Sequence, residues 1–459
     1  MKVTVSPKRE RGGIAALTAV PSKSACHRLL MLAALSKKET PTHITCAGTN
    51  DDIERTADCL AALGAKITRT ESGFSVLPID RTKEEKRVCT LNVGESGSTL
   101  RFLLPILGAL SVDADIVRAG RLPKRPLAPL DEVLTSHGMQ IRQDEENEAV
   151  LHVRGGLDVG APLSICGGVS SQNVSGLLMA LACADGEATL HVEGELSSAP
   201  YVDMTLDALR LSGVTYTVET AENGRVYHKP RASLCPPDAV FVEGDWSSAA
   251  PILCAGALWG GVRLSGLDNH SRQGDRAILS LLSDMGAVTE VDKDTVTVMP
   301  PIDGKLKPVT VSAEHTPDLV PTLAVTLGAA YGESVIRDCA RLRIKESDRL
   351  AATEALLGAL GVAAYIDGDD LHIYGICRDI KNWRPDRSAP VRTVPPVSDH
   401  RMVMAATLGA LYTSGNVEIA CAESIDKSYP RFFADMRAFC DITEGSEEGR
   451  VCQAPTEKA

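Results

Sequence analysis

The stretch Arg341-Leu342-Arg343-Ile344-Lys345-Glu346-Ser347-Asp348-Arg349-Leu350 gathers three Arg, one Lys, one Glu and one Asp into nine residues. It lies between a strand-like run at 333–339 and a helix-like run at 350–360. Cations crowded at such a junction can clamp phosphate or carboxylate groups, and a carboxyl kept among them can carry a proton. The competing reading is a charged surface loop with no ligand. The rest of the chain has to decide between the two.

Further cations stand mostly at the ends of elements, not on helix faces: Lys23, Arg28, Arg101, Arg125, Lys345, Arg349, Arg401 and Lys427. Short polar runs open the apolar, helix-like segments. They are Ser22-Lys23-Ser24, Ser96-Gly97-Ser98, Ser170-Ser171-Gln172, Asp245-Trp246-Ser247-Ser248, Thr316-Pro317-Asp318 and Ser398-Asp399-His400-Arg401. A helix start offers unpaired N–H groups and about half a positive charge, which suits phosphate and carboxylate. Ser and Asp also cap helices for purely local reasons, and His400 beside Asp399 reads as part of such a cap.

Composition narrows the classes. The chain has 459 residues, so two domains are the prior. Hydrophobic residues make up 44% and aromatics only 4%, so the cores are built from aliphatic side chains. A net charge of −12 argues against nucleic acid or an acidic membrane as partner. An acidic chain that still gathers cations at element ends points to small anionic ligands. The 13 Cys are scattered with no Cys-x-x-Cys pair, which argues for reduced thiols in a cytosol and against a disulfide framework or a zinc site. No His set has metal spacing and no Gly-rich loop matches a nucleotide fingerprint, so no metal and no cofactor are expected. Residues 1–13 read as a strand, not a signal peptide, and no apolar run is long enough to span a bilayer. The runs 83–87 and 144–148 read as solvated charged loops.

The elements that must position these residues repeat. A small, apolar helix-like run recurs at 25–35, 99–110, 173–182, 249–259, 319–331 and 401–412. Short strands follow at 42–46, 114–118, 188–192, 262–264, 334–337 and 416–419. A second helix-like run follows each strand. Five of them end at Gly64, Gly138, Gly213, Gly286 and Gly361, about 73 to 75 residues apart, where a glycine past the helix end suits a left-handed cap. The sixth, near Phe439-Cys440, lacks the glycine. Three units precede Cys235-Pro236-Pro237 and three follow, so the Pro pair marks a hinge between two similar α/β domains. An open solenoid is the alternative, and the three-plus-three break favours two globes.

These motifs, taken in order, resemble one family. They are Pro21-Ser22-Lys23-Ser24 with Arg28, Gly97-Ser98-Thr99-Leu100-Arg101, Arg125-Pro126, Ser170-Ser171-Gln172, Ser198-Ala199-Pro200-Tyr201, Glu243-Gly244-Asp245, Pro317-Asp318, Lys345-Glu346-Ser347-Asp348-Arg349, Asp399-His400-Arg401 and Asp426-Lys427-Ser428. The family is that of the 5-enolpyruvylshikimate-3-phosphate synthases, the 3-phosphoshikimate 1-carboxyvinyltransferases. Any one motif is weak, but the ordered set is specific and runs through nearly the whole chain.

The resemblance implies an α/β fold of two similar domains, each of three βαβαββ units in an inside-out α/β barrel, with the active site in the interdomain cleft. It implies an N-terminal domain at 20–237, and a C-terminal domain at 238–459 joined by the strand in 1–19. It implies transfer of the enolpyruvyl group of phosphoenolpyruvate to the 5-hydroxyl of shikimate 3-phosphate, with release of phosphate, in a cytoplasmic monomer. The positions matching the shikimate 3-phosphate site are Lys23, Ser24, Arg28, Ser170, Ser171, Gln172, Ser198, Tyr201, Asp318 and Lys345. Those matching the phosphoenolpyruvate site are Lys23, Gly97, Arg125, Gln172, Arg349, Arg401 and Lys427. Arg341 stands where some members carry Asn, and is a further candidate ligand. The chemistry needs an acid for the vinyl methylene and a base for the hydroxyl. Glu346 is expected as the acid and Asp318 as the base, with Lys23 sharing the proton work. Among so many cations Glu346 is expected to have a lowered pKa, which opposes an acid role unless burial offsets it.

Three alternatives were weighed. The sister enzyme acting on UDP-N-acetylglucosamine usually has a reactive Cys in the loop that here reads Arg121-Leu122-Pro123-Lys124-Arg125, and it lacks the Lys-Glu-Ser-Asp-Arg motif. RNA 3′-phosphate cyclase needs a nucleophilic His that this chain does not place. A non-catalytic anion-binding repeat protein predicts six equivalent surfaces, but Glu346 has no counterpart in the other copies.

Overall fold

The computed structural model describes residues 1–81, 88–386 and 388–445, so the charged run 83–87 lies outside the described residues. The chain divides into two compact units, Pro21–Glu243 and Met1–Val20 with Gly244–Ala459. Among the described residues there are twelve α-helices. The first unit holds α1 (Lys23–Ala34), α2 (Asp51–Ala62), α3 (Gly97–Leu110), α4 (Leu130–Ser136), α5 (Ser171–Leu181) and α6 (Ala199–Leu211). The second holds α7 (Trp246–Ala255), α8 (Ile278–Asp284), α9 (Val320–Leu327), α10 (Arg349–Ala359), α11 (His400–Gly409) and α12 (Phe432–Met436).

Six four-stranded sheets share one pattern. In each, the first pair is parallel and the next two are antiparallel. One runs Cys89–Gly94, Ala114–Arg118, Val150–Arg154, Gln140–Gln143. Another runs Thr310–Ser312, Glu333–Arg337, Asp370–Tyr374, Ala363–Asp367. The N-terminal residues complete two sheets of the Gly244–Ala459 unit. Lys2–Pro7 pairs with Val417–Ile419 and Cys440–Gly445, and Ala15–Thr18 pairs with Val262–Ser265.

The two helix types differ in what surrounds them. α3, α5 and α7 are buried along nearly their whole length, as helices apolar on every face must be. α2 is two-sided: Ile53, Thr56, Ala57, Cys59 and Leu60 face the core, while Asp51, Glu54 and Asp58 face outward. The central helices approach closely. A Cβ on Gly176 of α5 would stand 2.4 Å from the Arg101 carbonyl oxygen of α3. The five expected glycine caps all have positive φ, from 81° to 105°.

Three expectations need correction. Residues 319–331 do not form one helix: α9 ends at Leu327, because the chain tightens through bonds from Ala329 N to Thr326 O and from Ala330 N to Leu327 O. Residues 249–259 start as α-helix, but the turn Gly256–Gly260 is a π-helix. The passage between units falls at Glu243–Gly244 and not at the Pro pair. The residues after the prolines have N–H groups free to enter a ladder, and Ala239–Phe241 pairs with Thr42–Thr45 of the first repeat. Among the described residues Cys26, Cys46, Cys59, Cys183, Cys254, Cys339 and Cys440 are free and buried. Among the described residues no helix is long and apolar enough to cross a membrane.

The helix contact gives a stability prediction. Gly176→Ala forces a methyl group against backbone and should cost about 1–3 kcal/mol. Gly358→Ala, in the exposed last turn of α10 with open space for a Cβ, should gain up to about 1 kcal/mol. Urea midpoints at unchanged slope would separate the two.

Candidate active site

In the Gly244–Ala459 unit the charged stretch is built around one guanidinium. Asp348 caps α10 by accepting from Ala351 N at 3.1 Å, which fixes Arg349 as the first helical residue. Arg349 turns inward and is fully buried. Its Nε donates to Asp399 Oδ2 at 2.8 Å, its Nη1 to Asp318 Oδ1 at 2.7 Å, and its Nη2 to Glu346 Oε2 at 2.8 Å. A guanidinium cannot give up its proton at that depth, so the carboxylates hold it and are held by it. Asp399 and Asp318 raise its proton affinity further, against the effect of burial.

The three carboxylates differ in access to solvent. The Asp399 side chain is 0% exposed, that of Glu346 18% and that of Asp318 27%, so only the last two can meet a ligand. Asp399 is committed to structure. It caps α11 through Arg401 N at 2.9 Å and accepts from Ser347 Oγ at 2.9 Å. Lys345 Nζ lies 3.5 Å from Asp318, and Lys427 Nζ lies 3.8 Å from Glu346. Burial pushes the Asp318 carboxyl up, but Lys345, Arg349 and Arg401 outweigh it and hold the group well below the usual carboxylate range. Burial lowers the proton affinity of Lys345, partly offset by Asp318.

Arg401 follows the cap of α11 and reaches the start of α7. Its Nη1 donates to the Ser247 carbonyl at 2.9 Å and its Nη2 to Ser247 Oγ at 2.5 Å. Arg341, in the 3-10 turn Ala340–Ile344, makes a long contact of 3.5 Å to the Glu314 carbonyl. Four helix starts, those of α7, α9, α10 and α11, are thus tied together by Ser247, Asp318, Arg349, Asp399 and Arg401.

The Pro21–Glu243 unit gathers the other candidates. Ser22 caps α1, Ser96 caps α3 and Ser170 caps α5. Lys23 Nζ bonds Asp52 Oδ2 at 3.0 Å, which fixes the ammonium at the α1 start. Gln172 Nε2 donates to Ser98 Oγ at 2.9 Å and joins the starts of α5 and α3. A Cβ on Gly97 would lie 2.9 Å from Arg125 Nη1 and 3.0 Å from Arg101 Nη1, so the bare backbone is what lets two guanidinium groups stand beside the helix start. A buried chain runs from His27 through Thr56 and Thr99 to Ser96, with steps of 2.6, 2.7 and 2.7 Å, and links α1, α2 and α3. Burial pushes His27 down to about 3, so its ring is neutral.

Arg28 is bound into the Pro21–Glu243 unit by several elements. It is buried, and it donates to Thr205 Oγ1 at 2.8 Å, to the Ser24 carbonyl at 2.6 Å and to the Tyr201 carbonyl at 2.7 Å, with Ser175 Oγ at 3.4 Å. Burial lowers its pKa to about 10. Its charge therefore shapes the walls formed by α1, α5 and α6. Ser198 adopts a left-handed backbone at φ 51° just before α6, and Ser171 is buried at the α5 start.

Sequence reasoning missed several partners. Asp399 was legible as a cap, not as the buried anion of Arg349. Asp52, Ser247 and Asp275 gave no signal of their roles, because each becomes a partner only through residues distant in sequence. Among the described residues no cluster of three or more His, Cys, Asp or Glu is placed to hold a metal ion.

A family model described as EPSP synthase (3-phosphoshikimate 1-carboxyvinyltransferase) matches residues 11–436. A 3-phosphoshikimate 1-carboxyvinyltransferase of Clostridium kluyveri is 32% identical, over 95% of this chain and 96% of that protein. One of Methanococcoides burtonii is 35% identical, over 95% and 98%. The solved EPSP synthase of Acinetobacter baumannii has the same fold, with a TM-score of 0.76, 23% identity, and coverage of 96% of this chain and 100% of that one. The enolpyruvyl transferase NikO of Streptomyces tendae is also similar in fold, with a TM-score of 0.71, 20% identity, and coverage of 96% and 98%. With the family model spanning nearly all of it and such relatives matching end to end, the chain belongs to the EPSP synthase (3-phosphoshikimate 1-carboxyvinyltransferase) family.

Proposed function

We propose that this chain transfers the enolpyruvyl group of phosphoenolpyruvate to the 5-hydroxyl of shikimate 3-phosphate and releases phosphate, a step of the shikimate pathway. The observation that carries the reading is the pair of partly exposed carboxylates, Asp318 and Glu346, on two arms of one buried Arg349 with a lysine beside each. Addition and elimination require two proton carriers among cations that can hold the reacting phosphate, and this arrangement supplies both.

The steps follow from the groups. Asp318, held ionised by Lys345, Arg349 and Arg401, takes the hydroxyl proton as the 5-oxygen attacks the second carbon of phosphoenolpyruvate. Glu346 gives its proton to the methylene carbon. The C–O bond to phosphate then breaks, the leaving oxygen keeps the electron pair, and Glu346 recovers a proton from the new methyl group. The proton on Asp318 leaves with phosphate or to water. In the free protein the cations oppose proton loading of Asp318. Bound phosphate and carboxylate anions neutralise those cations, so substrate binding itself raises the proton affinity of Asp318. Arg and Lys stabilise the phosphate as it leaves.

Lys23, Ser24, Arg28, Ser170, Ser171, Gln172, Ser198, Tyr201, Asp318, Lys345 and Arg341 serve shikimate 3-phosphate in this reading. Lys23, Gly97, Arg125 and Gln172, with Arg349, Arg401 and Lys427, serve phosphoenolpyruvate. Arg349 already directs its donors to three carboxylates, so it acts on the ligand mainly through the groups it fixes. Small anionic metabolites support a cytoplasmic enzyme. The relatives' names favour this acceptor over UDP-N-acetylglucosamine and over a binding-only role.

The reading is tested by phosphate release from phosphoenolpyruvate with shikimate 3-phosphate or UDP-N-acetylglucosamine as acceptor. Release only with the first is the expected result; release only with the second, or with neither, would reject it. Glu346→Gln should lower kcat by at least about a hundredfold while KM values move only a few-fold. Asp318 gives a pH prediction. Its folded pKa is depressed, so its stabilising contribution is present above the unfolded value of about 3.9 and is lost as pH falls below it. Asp318→Asn should therefore lower the urea midpoint more at pH 7 than at pH 3.

A further inference from the structure

Asp275 is a fully buried carboxyl that the mechanism above does not use. It lies in the 3-10 turn Gly274–Ala277 that leads into α8. Ser247 Oγ, at the start of α7, donates to Asp275 Oδ2, and the same Ser247 oxygen accepts from Arg401 Nη2. The loop before Asp275 is fastened to the same helix start. Gln273 Oε1 accepts from Trp246 N at 3.0 Å, Gln273 Nε2 donates to the Gly244 carbonyl at 2.8 Å, and Ser271 Oγ accepts from Gln273 N at 3.0 Å. The hydroxyl thus stands between a carboxyl and a guanidinium on three elements brought together from distant parts of the chain.

We propose that the Asp275 carboxyl, acting through the Ser247 hydroxyl, positions the Arg401 guanidinium and offsets its charge for anion binding. The inference rests on the reading of Arg401 as a phosphoenolpyruvate ligand. When ionised, Asp275 takes the Ser247 proton in a hydrogen bond and leaves the hydroxyl oxygen to receive Arg401. The guanidinium is then held in one orientation, and part of its charge is neutralised. When Asp275 carries a proton, the guanidinium meets an incoming anion with its charge less offset, and the anion is held more tightly.

The groups facing Asp275 set where this change falls. Burial and the nearby Asp318 and Asp245 push its carboxyl up, while Arg401 and the Ser247 hydroxyl pull it down, and the balance lies at about 7. Arg276, on the same turn, is exposed and bonds the Asn269 carbonyl. The switch in charge therefore sits in the working range of a cell. Asp275 is a positioning residue: its effect on the ligand passes through Ser247 and Arg401.

The test is the KM for phosphoenolpyruvate from pH 6 to 8.5 at saturating shikimate 3-phosphate, in the wild type and in Asp275→Asn. The ligand's own phosphate titrates equally in both, so the ratio of the two KM values isolates the carboxyl. The wild-type KM divided by the Asp275→Asn KM should rise up to about tenfold as pH passes through 7, as expected for one unit charge about 12 Å from the anion at an effective dielectric of about 20, while the KM for shikimate 3-phosphate shows no such rise. A ratio constant with pH overturns the proposal, because a merely structural role lowers stability without titrating one substrate's KM. If Asp275→Asn does not fold, Ser247→Ala decides. It should raise the KM for phosphoenolpyruvate about threefold or more with kcat nearly held, and an unchanged KM overturns the proposal. The underlying reading is checked separately by Arg401→Lys. A raised KM for phosphoenolpyruvate there keeps the reading even if Asp275 proves silent, and an unchanged KM rejects both.

Discussion

One buried ionic contact organises the Gly244–Ala459 unit: the Arg349 guanidinium against Asp399, Asp318 and Glu346. Taking a guanidinium out of water costs several kcal/mol unless its donors are met, and a fully buried one tolerates no missing partner. That requirement fixes the starts of α9, α10 and α11 against one another, because each carboxylate belongs to a different local segment. It also sorts the carboxylates by duty. Asp399, sealed from solvent, carries the structural charge. Asp318 and Glu346 keep one edge toward solvent, as the proposed proton transfer requires. The same contact that stabilises the unit therefore sets the spacing of these two carboxylates.

The repeat explains why polar chemistry can gather around such apolar helices. A helix apolar on every face must be buried along its length, so its only route to a ligand is its end. In each unit the chain uses that end, with Ser, Asp, Lys or Arg at the first turn. Backbone N–H groups and side-chain cations then stand together, the arrangement the proposed anion binding requires. Gly97 and Gly176 are two of the places where this closeness leaves no room for a side chain, one beside guanidinium groups and one between central helices.

Much of this was legible in the chain. The strand 114–118 was read with its observed bounds, the glycine turns were placed by their spacing, and the motifs pointed to the family from the residues alone. What was not legible depends on the third dimension. Asp399 looks like any N-cap, since a cap and a buried counter-ion use the same side chain. Arg28 reads as an anion ligand, but its bonds into α1, α5 and α6 have no signal in the sequence. Ser247 reads only as part of a helix start and Asp275 carries no local pattern, because their shared role lies in Arg401, more than a hundred residues away in sequence. The end of α9 was misjudged because Gly328-Ala329-Ala330 keep the apolar pattern of a helix while the backbone tightens.

The account rests on Glu346, held by Arg349, delivering and recovering a proton at the vinyl carbon of phosphoenolpyruvate. The most direct measurement is proton NMR of the product formed in heavy water with shikimate 3-phosphate. A methyl intermediate that exchanges with Glu346 predicts deuterium in the vinyl methylene of the product, and Glu346→Gln should slow its incorporation together with turnover. A methylene free of deuterium in the wild type, or undiminished incorporation in Glu346→Gln, would contradict the assignment.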